Sequence, residues 1–179
     1  MKAFTTLRSL NGATLIESLV VLSILSLLLH IALFEYKPLL ATNRLESNMQ
    51  TVKRALQFTR LKAQTNDAYV TFCALKHNRC NKAIWHKSLT VFVDRGVLGV
   101  FESGDSKLME IEAINKFDML TYPRHSVTFS PSGMPMGLGN GKFIYCPEYS
   151  KASLKGLAIS VSPIGRVRLI DTDKCQTDN

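Results

Sequence analysis

An α+β fold, in which a long N-terminal helix packs on antiparallel β-sheets, is predicted by three features of the 179-residue chain. Residues 12–34, GATLIESLVVLSILSLLLHIALF, are an apolar run with one carboxylate near its start. Residues 39–64 repeat apolar side chains at helical spacing, the mark of an amphipathic helix. From Asp67 onward, short β-branched and aromatic runs alternate with Gly, Pro, Asn and Asp, as strands alternate with turns.

From Ala13 to Phe34 the only formally charged side chain is Glu17, and a helix needs about 20 apolar residues to cross a hydrocarbon core. A membrane-spanning helix is therefore expected over residues 13–34. A secretory signal has an apolar core of roughly 7–15 residues and a small-residue cleavage site; this run is longer and leads into Phe34-Glu35-Tyr36-Lys37-Pro38. The preceding leader, residues 1–12, carries Lys2 and Arg8 and no acid, which places the N-terminus in the cytoplasm and the remainder across the membrane.

A carboxylate inside such a segment costs about 2.5–3.5 kcal/mol on insertion scales, so Glu17 needs a partner. Cleavage between Gly12 and Ala13 would create one, a new α-amine able to pair with Glu17 of its own or a neighbouring chain. Gly12-Ala13-Thr14-Leu15-Ile16-Glu17, with its basic leader and following apolar helix, resembles the class III signal of type IV pilins and pseudopilins. The resemblance implies cutting after Gly12 by prepilin peptidase, N-methylation of Ala13 and assembly through Glu17. Ala13 departs from the family, which usually has Phe there. The expected organisation is a leader at 1–12, a transmembrane and filament-core helix at 13–38 and a globular domain at 39–179. The precursor would sit in the inner membrane of a Gram-negative bacterium and later join a pilus at the periplasm or cell surface, beside other major and minor pilins.

Pro38 removes a backbone donor and should kink or interrupt the helix. Beyond it, Leu45, Met49, Val52, Leu56, Leu61 and Ala63 fall near one face of a resumed helix, with Arg44, Lys53, Arg54, Arg60 and Lys62 on the outer face. The two halves together make roughly 50 residues, about 75 Å at 1.5 Å per residue. Strands are expected at 69–75, 89–94, 108–114, 126–130, 142–146, 157–161 and 166–170. Arg95-Gly96 and Ser103-Gly104-Asp105 read as turns, and Pro131–Gly141, PSGMPMGLGNG, as a mobile exposed loop. Trp85 is expected in core or loop packing.

The chain carries a formal charge of +8, and loss of Lys2 and Arg8 with the leader would leave +6. Residues 44–87 hold nine Lys or Arg against Glu46 and Asp67, whereas residues 88–123 hold only Arg95, Lys107 and Lys116 against six acids. A basic side could meet nucleic acid or the acidic face of a neighbouring subunit. The four cysteines, Cys73, Cys80, Cys146 and Cys175, lie beyond the anchor, in a compartment that permits disulfides. They allow three pairings; Cys73–Cys80, closing a small loop, and Cys146–Cys175, tying down the tail, are favoured. Their spacing lacks a zinc pattern, His77 reads as a loop residue, and no metal or other cofactor is expected. The histidines, His30, His77, His86 and His125, are scattered, and no serine or cysteine stands in a nucleophile context. Catalysis is not expected.

The C-terminal third shows a second likeness. Phe129-Ser130-Pro131-Ser132-Gly133, then Gly141-Lys142-Phe143-Ile144-Tyr145-Cys146-Pro147, then Leu157–Val161 and Gly165-Arg166-Val167-Arg168-Leu169 follow the order seen in the FimT/GspH family of minor pilins and pseudopilins. The FimT branch has a similar Gly-Arg-x-Arg, which implies a type IV pilus subunit binding double-stranded DNA for natural transformation, with Arg166 and Arg168 as the matching positions. The alternative that the family implies is a GspH-like pseudopilin of a type II secretion system, structural and without DNA binding. In a strand, Arg166 and Arg168 would share one face about 6.6 Å apart, close to the spacing of phosphates one or two steps apart. Gly165 lets the chain turn, and Lys142, Lys151, Lys155, Lys174 and Arg124 could extend the patch. Phosphate contacts carry no base information, so the expected binding is non-specific and salt-sensitive.

Overall fold

In a computed structural model of the chain, which describes residues 14–147, 156–173 and 175, with the backbone alone for 31–35, 37 and 38, one long helix precedes nine short strands. Helix α1, Leu15–Thr65, opens on Thr14, whose Oγ1 accepts from the Glu17 backbone N–H at 3.3 Å. Thr14 is thus an N-cap, and Glu17 lies in the first turn, where the helix dipole favours a carboxylate. The helix runs through Pro38, so the expected interruption does not occur. Proline removes one hydrogen bond at a cost of about 3 kcal/mol, yet the residues on either side remain helical.

The chain divides into two compact units between Leu39 and Leu40. In the first, the apolar side chains from Leu15 to Leu29 are exposed. Among the described residues no helix is long and apolar enough to cross a membrane. The span expected over 13–34 reaches beyond the described side chains at both ends.

In the second unit, Leu45, Met49, Val52, Leu56 and Ala63 of α1 are buried in one core with both sheets. Leu61, expected beside them, is exposed: five residues past Leu56 it is rotated about 140° at 3.6 residues per turn. Arg44 and Arg60 also leave the outer face expected of them, as described below.

The first sheet contains β1 Val70–Lys76, β2 Arg79–Cys80, β3 Leu89–Val93, β4 Ser106–Ile111 and β6 Val127–Phe129. Its order is β2-β1-β3-β4, with β6 also pairing β1. The second contains β5 Met119–Thr121, β7 Gly141–Cys146, β8 Gly156–Val161 and β9 Val167–Thr172, in the order β5-β7-β8-β9. All pairings are antiparallel. The two-residue β2 and three-residue β5 are additions to the strands the sequence predicts, too short to show alternation.

The sheets meet where Phe72 of β1 faces Phe143 of β7, ring centroids 6.0 Å apart. Phe143 stacks on Tyr122 with centroids 4.0 Å apart and meets Trp85 edge-on at 5.0 Å. Trp85 follows a 3-10 turn, Lys82–Ile84, and its Nε1 donates to the Arg124 carbonyl at 2.9 Å. It is fully buried, so truncation to Ala would cost about 3–5 kcal/mol. Residues 131–140 form a succession of turns leading into β7, largely exposed as expected and joined by main-chain hydrogen bonds. Gly133 N donates to Ser130 O, Met136 N to Thr128 O and Gly139 N to Met136 O, while Tyr122 Oη donates to Gly139 O at 2.6 Å. Disulfides join Cys73 to Cys80 and Cys146 to Cys175.

Candidate nucleic-acid interface

Strands β8 and β9 are joined by a tight hairpin, Ser162-Pro163-Ile164-Gly165-Arg166. Ser162 N donates to Arg166 O and Gly165 N to Ser162 O, both at 2.9 Å, and Ser162 Oγ accepts from Arg166 N at 3.0 Å. This is a three-residue loop ending in a bulge, and the bulge needs a left-handed residue. Gly165 supplies it with φ +75°. A Cβ there would also collide with the Gly133 carbonyl oxygen, so both dihedral and space demand glycine.

Arg168 lies within β9, whereas Arg166 belongs to the hairpin, because the strand begins at Val167. The expected pair on one regular strand is therefore replaced by one arginine at the turn and one on the sheet. Both are exposed, while Val167 between them and Leu169 after them pack against the core. Strand register then recruits a third cation: Lys142 of β7 pairs with Ser160 of β8, and Ser160 with Arg168 of β9. Lys142 and Arg168 thus lie on the same sheet face, two strand spacings or about 10 Å apart. Asp171, an odd number of residues from Arg168, falls on the opposite face. Among the described residues none of the three cations has an ion-pair partner.

Helix α1 reaches the same hairpin. Arg60 Nη1 donates to Gly165 O at 3.0 Å, and a cavity of about 310 Å³ is lined by Gln57, Arg60, Leu61 and Gln64 of the helix with Gly165, Arg166 and Val167. No acid lines it. Arg124 sits elsewhere: it lines a separate cavity of about 400 Å³ with Leu98, His125 and Met136. Lys151, Lys155 and Lys174, and the processing residues Gly12 and Ala13, lie outside the described residues. Glu17 is exposed in the first turn of α1. Among the described residues no group of three or more His, Cys, Asp or Glu could hold a metal ion.

The β5–β7 side of this sheet is tied to α1 by a polar cluster. Arg44 meets the buried Asp118 at 3.4 Å, and Asp118 accepts from Tyr145 Oη at 2.5 Å.

The family described as type II transport protein GspH matches residues 48–165, two thirds of the chain. The chain belongs to the GspH family. Its fold is similar to that of the type IV minor pilin FimU of Pseudomonas aeruginosa, with TM-score 0.59 and 19% identity, covering 74% of this chain and 96% of that one. It is also similar to the minor pseudopilin EpsH from the type 2 secretion system of Vibrio cholerae, with TM-score 0.53 and 12% identity, covering 72% and 97%. No curated protein sequence matches the chain. The GspH family and this fold thus put the chain in the minor pilin and pseudopilin class.

The GspH match ends at Gly165, immediately before the two arginines. Arg60 was not legible as part of the site, because helical spacing alone assigns it to an outer face. The signal that could have found it is the pair Gly133 and Gly165, two glycines that leave room for a long side chain. The Thr14-x-x-Glu17 spacing likewise carries a capping signal that a membrane-centred reading of Glu17 passes over.

Proposed function

We propose that the chain is a minor pilin of a type IV pilus that holds extracellular double-stranded DNA, non-specifically, for uptake in natural transformation. The observation that carries this reading is the row Lys142–Ser160–Arg168 across an exposed sheet face, with Arg166 at the adjoining turn. Cations spaced by strand geometry suit the regular phosphates of a duplex, which advance about 3.4 Å per step along each strand. Lys151, Lys155 and Lys174 add charge in the same part of the chain, and Arg124 adds a contact on a separate surface. Among the described residues no run of exposed aromatics interleaves with the cations, which favours the duplex over stacked single-strand bases as the ligand.

In this reading the precursor is held in the inner membrane through residues 13–34, and prepilin peptidase cuts after Gly12. Methylated Ala13 then presents an amine to Glu17 of its own or a neighbouring pilin. The intact mass of protein recovered from pili should correspond to a chain beginning at methylated Ala13.

A second reading, a type II secretion pseudopilin without DNA binding, is favoured by the description of the GspH family as a transport protein. A deletion strain separates the two. Loss of transformation with intact protein secretion supports the DNA receptor, and loss of secretion with intact transformation supports the pseudopilin.

A further inference from the structure

The cavity between α1 and the β8–β9 hairpin is built differently from the open sheet face beside it. Two guanidinium side chains from distant parts of the chain, Arg60 and Arg166, line it together with the carboxamides of Gln57 and Gln64. Among the described residues, the polar groups that line it are neutral or cationic. Arg60 is fixed by its bond to Gly165 O, and its Nε is buried without a hydrogen-bond partner among the described residues. Gly133 and Gly165, both at positive φ, are the residues whose missing side chains make room for it. A donor-rich cavity with no acid among its described lining residues and with a preorganised guanidinium suits a phosphate, because planar arginine donors match phosphate oxygens and little entropy is lost on binding.

We propose that this cavity is a phosphodiester subsite, in which Arg60 and Arg166 together hold one backbone phosphate of duplex DNA and the carboxamides of Gln57 and Gln64 complete its hydrogen bonding. The inference rests on the DNA-binding reading and adds to it a helix residue, Arg60, and a defined seat for one phosphate. Arg168 and Lys142 then continue the contact over the sheet face.

The test is a titration of fluorescent duplex DNA with the full chain in detergent, over a series of salt concentrations. Arg60→Gln should weaken binding about tenfold and lower the slope of log K against log salt by about 0.9, one phosphate contact. Arg166→Gln should do the same, and the double variant should cost much less than the product, since both side chains serve one phosphate. Removal of Arg60 could displace the hairpin, so a second variant leaves that bond in place. Gln57→Glu, at an exposed helix position, puts a carboxylate beside the cavity and should weaken binding at least tenfold. Gln50→Glu, an identical charge change at an exposed helix position outside the cavity, should weaken it less than twofold. Equal effects of Gln57→Glu and Gln50→Glu, or wild-type affinity and salt slope in Arg60→Gln, would overturn the subsite while leaving DNA binding through Arg166 and Arg168 intact. Absence of DNA binding by the wild type would overturn both.

Discussion

Tyr145 Oη donates a 2.5 Å hydrogen bond to Asp118 Oδ2 and accepts one of 2.9 Å from Asn48 Nδ2. One phenol thus links helix α1, strand β7 and the loop before β5. Burial, and next the Asp118 hydrogen bond, hold the Tyr145 phenol well above the ordinary tyrosine range, so it remains a donor at neutral pH. Tyr145→Phe takes a donor from a buried carboxylate, and such losses cost about 1–3 kcal/mol. Chemical denaturation should show that drop, and an unchanged midpoint would mean that the cluster contributes nothing.

Gly165 is the hinge of the candidate site. Gly165→Ala places an L-residue at a left-handed dihedral, costing roughly 1–2 kcal/mol, and drives a Cβ against the Gly133 carbonyl, a backbone atom with no rotamer to move. A loss of stability is expected together with weaker DNA binding, because Arg166 is the next residue. Retention of both at wild-type values would show that the hairpin does not depend on glycine.

Asp94 is buried. Its Oδ2 accepts from Thr71 Oγ1 at 2.6 Å and Gly99 N at 2.8 Å. Burial raises its pKa above the ordinary 3.8 despite those two hydrogen bonds. A carboxyl whose folded pKa is raised favours the folded state fully below the unfolded value, and that contribution is lost as pH rises through the folded pKa. Asp94→Asn keeps an acceptor for both donors and cannot ionise. Its stability relative to wild type should therefore improve from acid pH toward neutrality, measured by urea denaturation at both ends. A difference independent of pH would contradict the shift.

The Cys146–Cys175 disulfide spans 29 residues and anchors the chain beyond β9 to the end of β7. On the chain-entropy account, closing such a loop is worth about 3–4 kcal/mol. Cys146→Ser/Cys175→Ser should lose stability of that order under conditions where the wild type remains oxidised. A denaturation midpoint equal to wild type would show that the cross-link contributes little.

Strands and core were legible where pattern and physics agree. Val70, Phe72 and Ala74 alternate with Thr71 and Cys73 in a strand buried on both faces, and β-branched and aromatic content marked it. Leu45, Met49, Val52 and Leu56 follow the period of the helix that buries them. The candidate site was legible only in part, because Arg166 and Arg168 announce themselves by spacing, but Lys142 joins them through the register of β7, β8 and β9, a tertiary property. Arg60 and Arg44 were assigned to an outer face for the same reason: helical spacing cannot foresee a glycine carbonyl or a buried Asp118 on a neighbouring element. Residues 131–141 read as an exposed loop because Gly, Pro and Met carry no strand signal, and most of them are exposed, but the contacts to the Tyr122 hydroxyl and the main-chain turns were not legible.

The central claim is that Arg166, Arg168 and Lys142 hold duplex phosphates. It is tested most directly by titrating fluorescent duplex DNA with the detergent-solubilised full chain and with Arg166→Ala/Arg168→Ala, at two salt concentrations. The account predicts salt-sensitive wild-type binding, loss of most of that binding in the folded double variant, and a salt slope lower by about 1.8, two phosphate contacts at about 0.9 each. Near-equal affinity and slope for the two proteins would contradict it.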